Sequence, residues 1–152
     1  MAKSVYNAVI NPEPKMFIFE CFDPRFRKAF RHFTAEELGV GTEDFIKVER
    51  AGGAAALAHP VKQRDAYLDL LKQIDFATKH FPTIKTIVII GHQNCGFYSQ
   101  IPDHPEKEDP EKKDLPSVAK NILDAFPNLK VECYYAYFTD GSRTQIAFEK
   151  II

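Results

Sequence analysis

The chain has no tryptophan, only three cysteines and seven glycines in 152 residues, and a net charge of -1. Each scarcity excludes a class. Three is an odd and small number of cysteines, so a disulfide framework is not expected, and thiols kept reduced suit the cytoplasm. A near-zero charge, with basic residues scattered rather than clustered, gives no electrostatic case for a nucleic-acid partner. No apolar run is long enough to span a bilayer, and the start Met-Ala-Lys-Ser lacks the apolar region of a secretory signal. Cytoplasmic residence without a membrane partner is the resulting expectation. No internal repeat is visible.

What is present is the balance of a folded domain, with 45% hydrophobic and 27% charged residues. At this length one domain, residues 1–152, is expected, with a core that needs no disulfide support. Met16-Phe17-Ile18-Phe19 and Ile87-Val88-Ile89-Ile90 are continuous apolar runs, as in strands buried on both faces of a parallel sheet. Phe45-Ile46-Lys47-Val48 reads as a short strand that ends at Ala51-Gly52-Gly53. Helical spacing lies between the strands, at Phe26, Ala29, Phe30 and Phe33 and again at Tyr67, Leu70, Leu71 and Ile74. The alternation predicts an α/β fold of three layers, α-β-α, with a mainly parallel sheet in an order near 2-1-3-4.

Two segments carry the chemistry. Cys21-Phe22-Asp23-Pro24-Arg25 follows the first strand and Gly91-His92-Gln93-Asn94-Cys95-Gly96 follows the third. In the order 2-1-3-4 these strands flank the crevice where strand order reverses, the usual ligand position of an open α/β sheet. Cys21, His92 and Cys95 thus form a zinc-ligand set with one position open, the pattern of catalytic rather than structural zinc. Asp23 and Arg25 are placed to orient a zinc-bound hydroxide, the guanidinium locking the carboxylate. Asp followed by Pro is equally a helix start, with the carboxylate as cap. Gly52 and Gly53 serve either a plain turn or close backbone approach to a ligand, and Arg50 is either a cation near the site or an exposed strand end.

Elsewhere the expectations are plainer. Ile101 to Pro116, rich in Pro, Asp, Glu and Lys, reads as a solvated loop, and Ser117 to Phe126 as a helix. Asp140-Gly141 marks a hairpin turn, followed by an antiparallel edge strand over Thr144 to Phe148. Cys133 lies in an apolar run and is expected to be an inert buried thiol. His32, His59, His80 and His104 lack metal-ligand spacing and are expected in ordinary surface or partly buried roles, with a proton carrier among them as the alternative.

The pattern resembles the β-class carbonic anhydrases, marked by Cys-x-Asp-x-Arg at the first strand end and His-x-x-Cys at the third. Cys21, Asp23 and Arg25 match the first motif; His92 and Cys95, between Gly91 and Gly96, match the second. The likeness runs through Leu38-Gly39-Val40-Gly41 to Ala51-Gly52-Gly53 and returns near Asp140-Gly141. It implies Zn2+ held by Cys21, His92 and Cys95, with Asp23 and Arg25 as a dyad that gates the fourth position. The implied activity is reversible hydration of carbon dioxide to bicarbonate by zinc-bound hydroxide, in a homodimer or an assembly of dimers. The alternatives are hydrolysis of carbon disulfide or carbonyl sulfide on the same site, or a zinc-stabilised binding or regulatory protein without turnover. Glu49-Arg50-Ala51-Gly52-Gly53 stands where the family usually has an Asn-Ala-Gly-Asn-like stretch. Without tryptophan, the tryptophan-dependent bicarbonate pocket of some members cannot form in its usual way.

Overall fold

A computed structural model describes residues 3–152. Its centre is a five-stranded sheet in the order β2-β1-β3-β4-β5, formed by β1 (Met16–Cys21), β2 (Phe45–Arg50), β3 (Thr86–His92), β4 (Lys130–Phe138) and β5 (Ile146–Lys150). The first three pairings are parallel and β5 runs antiparallel to β4. The predicted three-layer α/β order is therefore the observed one.

The helices divide between the faces as the apolar side chains of the strands alternate. Phe17, Phe19, Ile87, Ile89 and Cys133 point to the face covered by α2 (Arg64–His80), α3 (Pro110–Ala125) and a 3₁₀ turn at Ala55–Ala58. Ile18, Val88, Ile90 and Ala136 point to the other, where Phe26, Phe30 and Phe33 pack. These phenylalanines lie along α1 (Arg27–His32), which widens into a π-helical stretch at Phe33–Glu37. Cys133 is fully buried, its thiol pushed up to about 12 by burial, as an inert core position requires.

Two expectations fail. Residues 101–116 are not a solvated loop: α3 begins at Pro110 and continues through Pro116. Ile101, His104, Glu111 and Leu115 are buried. Pro110 occupies the first helical position, where its missing N–H costs nothing, and burial of Leu115, Val118, Ala119 and Ile122 outweighs the bond lost at Pro116. The edge strand is Ile146–Lys150 rather than 144–148, because the turn is longer than Asp140-Gly141. Asp140 Oδ1 accepts the N–H groups of Thr144 (2.9 Å) and Gln145 (3.1 Å), and its other oxygen takes the Thr144 hydroxyl. That bonding occupies Thr144 before pairing starts.

Candidate metal centre

Cys21 is the last residue of β1 and His92 the last of β3; the strands are parallel neighbours, so both residues emerge at the same end of the sheet. Cys95 follows in a tight turn that Asn94 completes with φ 57°, a left-handed conformation Asn tolerates better than most residues. The sulfurs of Cys21 and Cys95 are 4.0 Å apart. With a ring nitrogen of His92, these donor atoms all lie within 4.8 Å of one another. His92 is buried, and its ring packs on Phe26 at 4.4 Å between centroids. Its Nδ1 lies 2.8 Å from the carbonyl of Gln93. Donating there leaves the lone pair on Nε2, which is buried without a hydrogen-bond partner.

That unpartnered nitrogen is the test of metal fit. A buried polar atom left unbonded costs about 1–3 kcal/mol unless something occupies it, and an imidazole anchored through Nδ1–H to a carbonyl is the usual arrangement of a metal ligand. The thiols agree. A hydrogen bond from the Cys95 thiol holds Cys21 below the ordinary thiol range against the opposing effect of burial, helped by the backbone N–H groups of Gly52 and Asp23. The same bond to Cys21, together with burial and the charge of Glu111, raises Cys95. The residues fit zinc.

Asp23 and Arg25 pair, but Asp23 is not the helix cap: α1 starts at Arg27 with Phe26 at its N-cap, and Pro24 lies in the turn before it. Arg25 Nε lies 3.1 Å from each oxygen of Asp23, Nη2 lies 2.7 Å from Oδ2, and the backbone N–H of Arg25 donates to Oδ1 at 2.9 Å. These bonds hold the Asp23 carboxyl below the usual carboxylate range. Arg25 Nη2 also donates to the carbonyl of Asn94 at 3.1 Å. One guanidinium thus ties the Cys21 segment to the Cys95 segment.

A cleft of about 540 Å³ opens on this side, lined by Cys21, Phe22, Asp23, Pro24, Gly52 and Phe97 among others. Gly52 lies in the turn after β2 with φ 72°, and a Cβ there would lie 2.5 Å from the ring of Phe97. Arg50 turns away to Asp69, at 3.4 Å.

Glu111 was not among the sequence candidates. It is buried beneath the site, and Oε2 accepts the backbone N–H of His92 at 2.9 Å. Burial raises its carboxyl to about 8 despite the nearby His92. A Cβ at Gly91 would come within 3.0 Å of it. The spacing Glu111, Leu115, Val118, Ile122 was a helical signal, hidden among charged neighbours.

Fold and donor set together define an α/β protein with a Cys-His-Cys donor cluster at the sheet's switch point. Its fold is that of the β-carbonic anhydrases. One of two tetrameric β-carbonic anhydrases from the filamentous ascomycete Sordaria macrospora is similar over 93% of this chain and 82% of its own, with 14% identity and a TM-score of 0.56. The β-carbonic anhydrase CafA of the fungal pathogen Aspergillus fumigatus is similar over 91% of this chain and 76% of its own, with 18% identity and a TM-score of 0.54. No family model and no curated protein sequence matches the chain. No helix among the described residues is long and apolar enough to cross a membrane.

Proposed function

We propose that residues 1–152 form one zinc domain that interconverts carbon dioxide and bicarbonate. The observation that carries this reading is the buried, unpartnered Nε2 of His92, grouped with two sulfurs beside a cleft whose wall includes Asp23. Zinc bound by Cys21, His92 and Cys95 supplies a Lewis acid that acidifies water and leaves one position for the reaction. Two thiolates and a neutral imidazole balance the cation's charge, so help from neighbouring groups matters.

Asp23 has that role. Its carboxylate, kept ionised and held by the Arg25 fork, accepts the hydrogen bond of the reacting water and fixes its orientation. Phe22, Pro24 and Phe97 give the cleft hydrocarbon walls suited to a small uncharged electrophile. Arg25 keeps the two ligand segments in register through Asn94.

The protein works in this reading as a cytoplasmic homodimer or assembly of dimers. The tetramers of the Sordaria macrospora enzymes support assembly, and Phe22 is 55% exposed at the mouth of the cleft. Light scattering that gave a monomer at micromolar concentration would remove that part.

Stopped-flow hydration of carbon dioxide, with zinc content measured on the same sample, tests the activity. Turnover that depends on thiolate-bound zinc supports it. Turnover confined to carbon disulfide or carbonyl sulfide would reassign the substrate, and zinc without turnover on any of these would leave a zinc-stabilised binding protein.

A further inference from the structure

His59, His104 and Asp114 come from three separate places, the end of the Ala55–Ala58 turn, the segment before α3, and α3 itself. Their side chains meet. His59 Nε2 lies 2.7 Å from Asp114 Oδ2 and His104 Nε2 lies 2.9 Å from Oδ1, so each carboxylate oxygen faces one imidazole. One donor atom from each residue falls within a 4.8 Å group. Tyr98 OH donates to Asp114 Oδ2 at 2.8 Å and fixes the carboxylate from behind. None of these residues belongs to the Cys21, His92 and Cys95 centre.

We propose that His59, His104 and Asp114 form a second divalent-metal site, for the imidazole-preferring ions zinc, nickel and cobalt. Two imidazoles and a carboxylate are a donor set those ions favour, and three protein ligands leave a coordination position open. The His104 ring can release its Nε2 lone pair to a metal. His104 Nδ1 lies 3.1 Å from both the N–H and the carbonyl of Glu106. It can therefore accept from the one, which puts the proton on Nε2, or donate to the other, which frees the Nε2 lone pair. Metal entry uses the second tautomer and requires no proton to leave the ring.

The donor atoms already lie within 4.8 Å of one another, and metal entry opens the two hydrogen-bonded pairs. Bonds of about 2.0–2.2 Å place tetrahedral ligands roughly 3.3 Å apart, against 2.7 and 2.9 Å between the bonded pairs. A route in is present, because the cluster lines a surface cleft of about 420 Å³ together with Glu106, Lys62 and Lys113. Lys62 is itself neutralised by Asp103. The Tyr98 hydroxyl supplies the outer hydrogen bond that holds a ligating carboxylate.

Equilibrium dialysis of the whole purified chain against cobalt(II) tests the assignment. The expected result is about one equivalent of cobalt beyond that held by cysteine, with d–d absorption but no thiolate-to-metal charge transfer. Cys21→Ser should keep this equivalent, which separates it from the candidate zinc centre. His59→Gln and Asp114→Asn, confirmed as folded by circular dichroism, should each weaken it at least about tenfold while leaving thiolate-bound metal unchanged. No cobalt beyond the thiolate-bound fraction would overturn the assignment, as would undiminished binding in both variants. Either result would make the cluster a hydrogen-bonded support for the segment before α3.

Discussion

Gly52→Ala tests how the cleft is built. Gly52 sits at φ 72° with the Phe97 ring against its Cα, and an added Cβ would stand 2.5, 2.7 and 2.9 Å from three atoms of that side chain. An alanine in the left-handed region costs about 1–2 kcal/mol, and forcing a methyl group into a packed contact costs a further ~1–3 kcal/mol. The sum, about 2–5 kcal/mol, is a large part of the stability of an ordinary domain. Urea unfolding of the metal-loaded protein should show it. Phe97→Ala alone should cost about 3–5 kcal/mol as a cavity. The double variant should fall short of the sum by about 1–3 kcal/mol, because the clash has gone. Phe97 lies two residues beyond Cys95 in the Gly96–Gln100 turn, so Gly52→Ala should also weaken zinc binding. A change below about 0.5 kcal/mol, with strict additivity, would show that Phe97 does not occupy this position.

Asp23→Asn should retain zinc and change stability by no more than about 1 kcal/mol, since the asparagine oxygen can still accept the Arg25 N–H. It should nevertheless lose most carbon dioxide hydration, because an amide cannot accept the same charge-assisted bonds; wild-type turnover would remove Asp23 from the chemistry. Arg25→Ala should behave alike, with the added effect of freeing the Asn94 carbonyl. Cys21→Ser or Cys95→Ser should abolish tight zinc binding, a hydroxyl being a far poorer ligand than a thiolate; full zinc by elemental analysis would contradict the ligand set. Glu111→Ala should cost about 2–4 kcal/mol in urea unfolding, from the stranded His92 N–H and the cavity together. Glu111→Gln keeps an acceptor for that N–H and should cost much less, and equal losses would show that the bond contributes little.

The sheet was legible because its strands announce themselves by burial. Ile18, Phe19, Ile87 and Val88 are apolar on successive residues and wholly buried, which only a strand covered on both faces requires. Strand order then brings Cys21 and His92 together without any reference to side-chain detail. The choice between cap and dyad for Asp23 was not decidable from sequence, because it depends on where the helix starts, and α1 starts only at Arg27. In the turn ahead of it, Oδ1 accepts the Arg25 N–H while both oxygens face the guanidinium.

The histidines mark where sequence reading stops. Metal-ligand spacing is a local signal, produced when two donors share one turn or one helix face, as His92 and Cys95 share a turn. His59, His104 and Asp114 share no element, and their meeting depends on α3 beginning at Pro110 rather than near Ser117. A reading that leaves 101–116 in solvent also leaves Asp114 there, and Glu111 with it. Once the helix extends to Pro110, its third and fourth turns keep Val118 and Ile122 in the core. Its first turns, on the same stripe, turn Glu111 under His92, while Asp114 faces the two imidazoles. The charged residues that made the segment look like loop are thus the ones the helix delivers to the two donor clusters. Their hydrogen bonds to His92, His59 and His104 are invisible until the helix is in place.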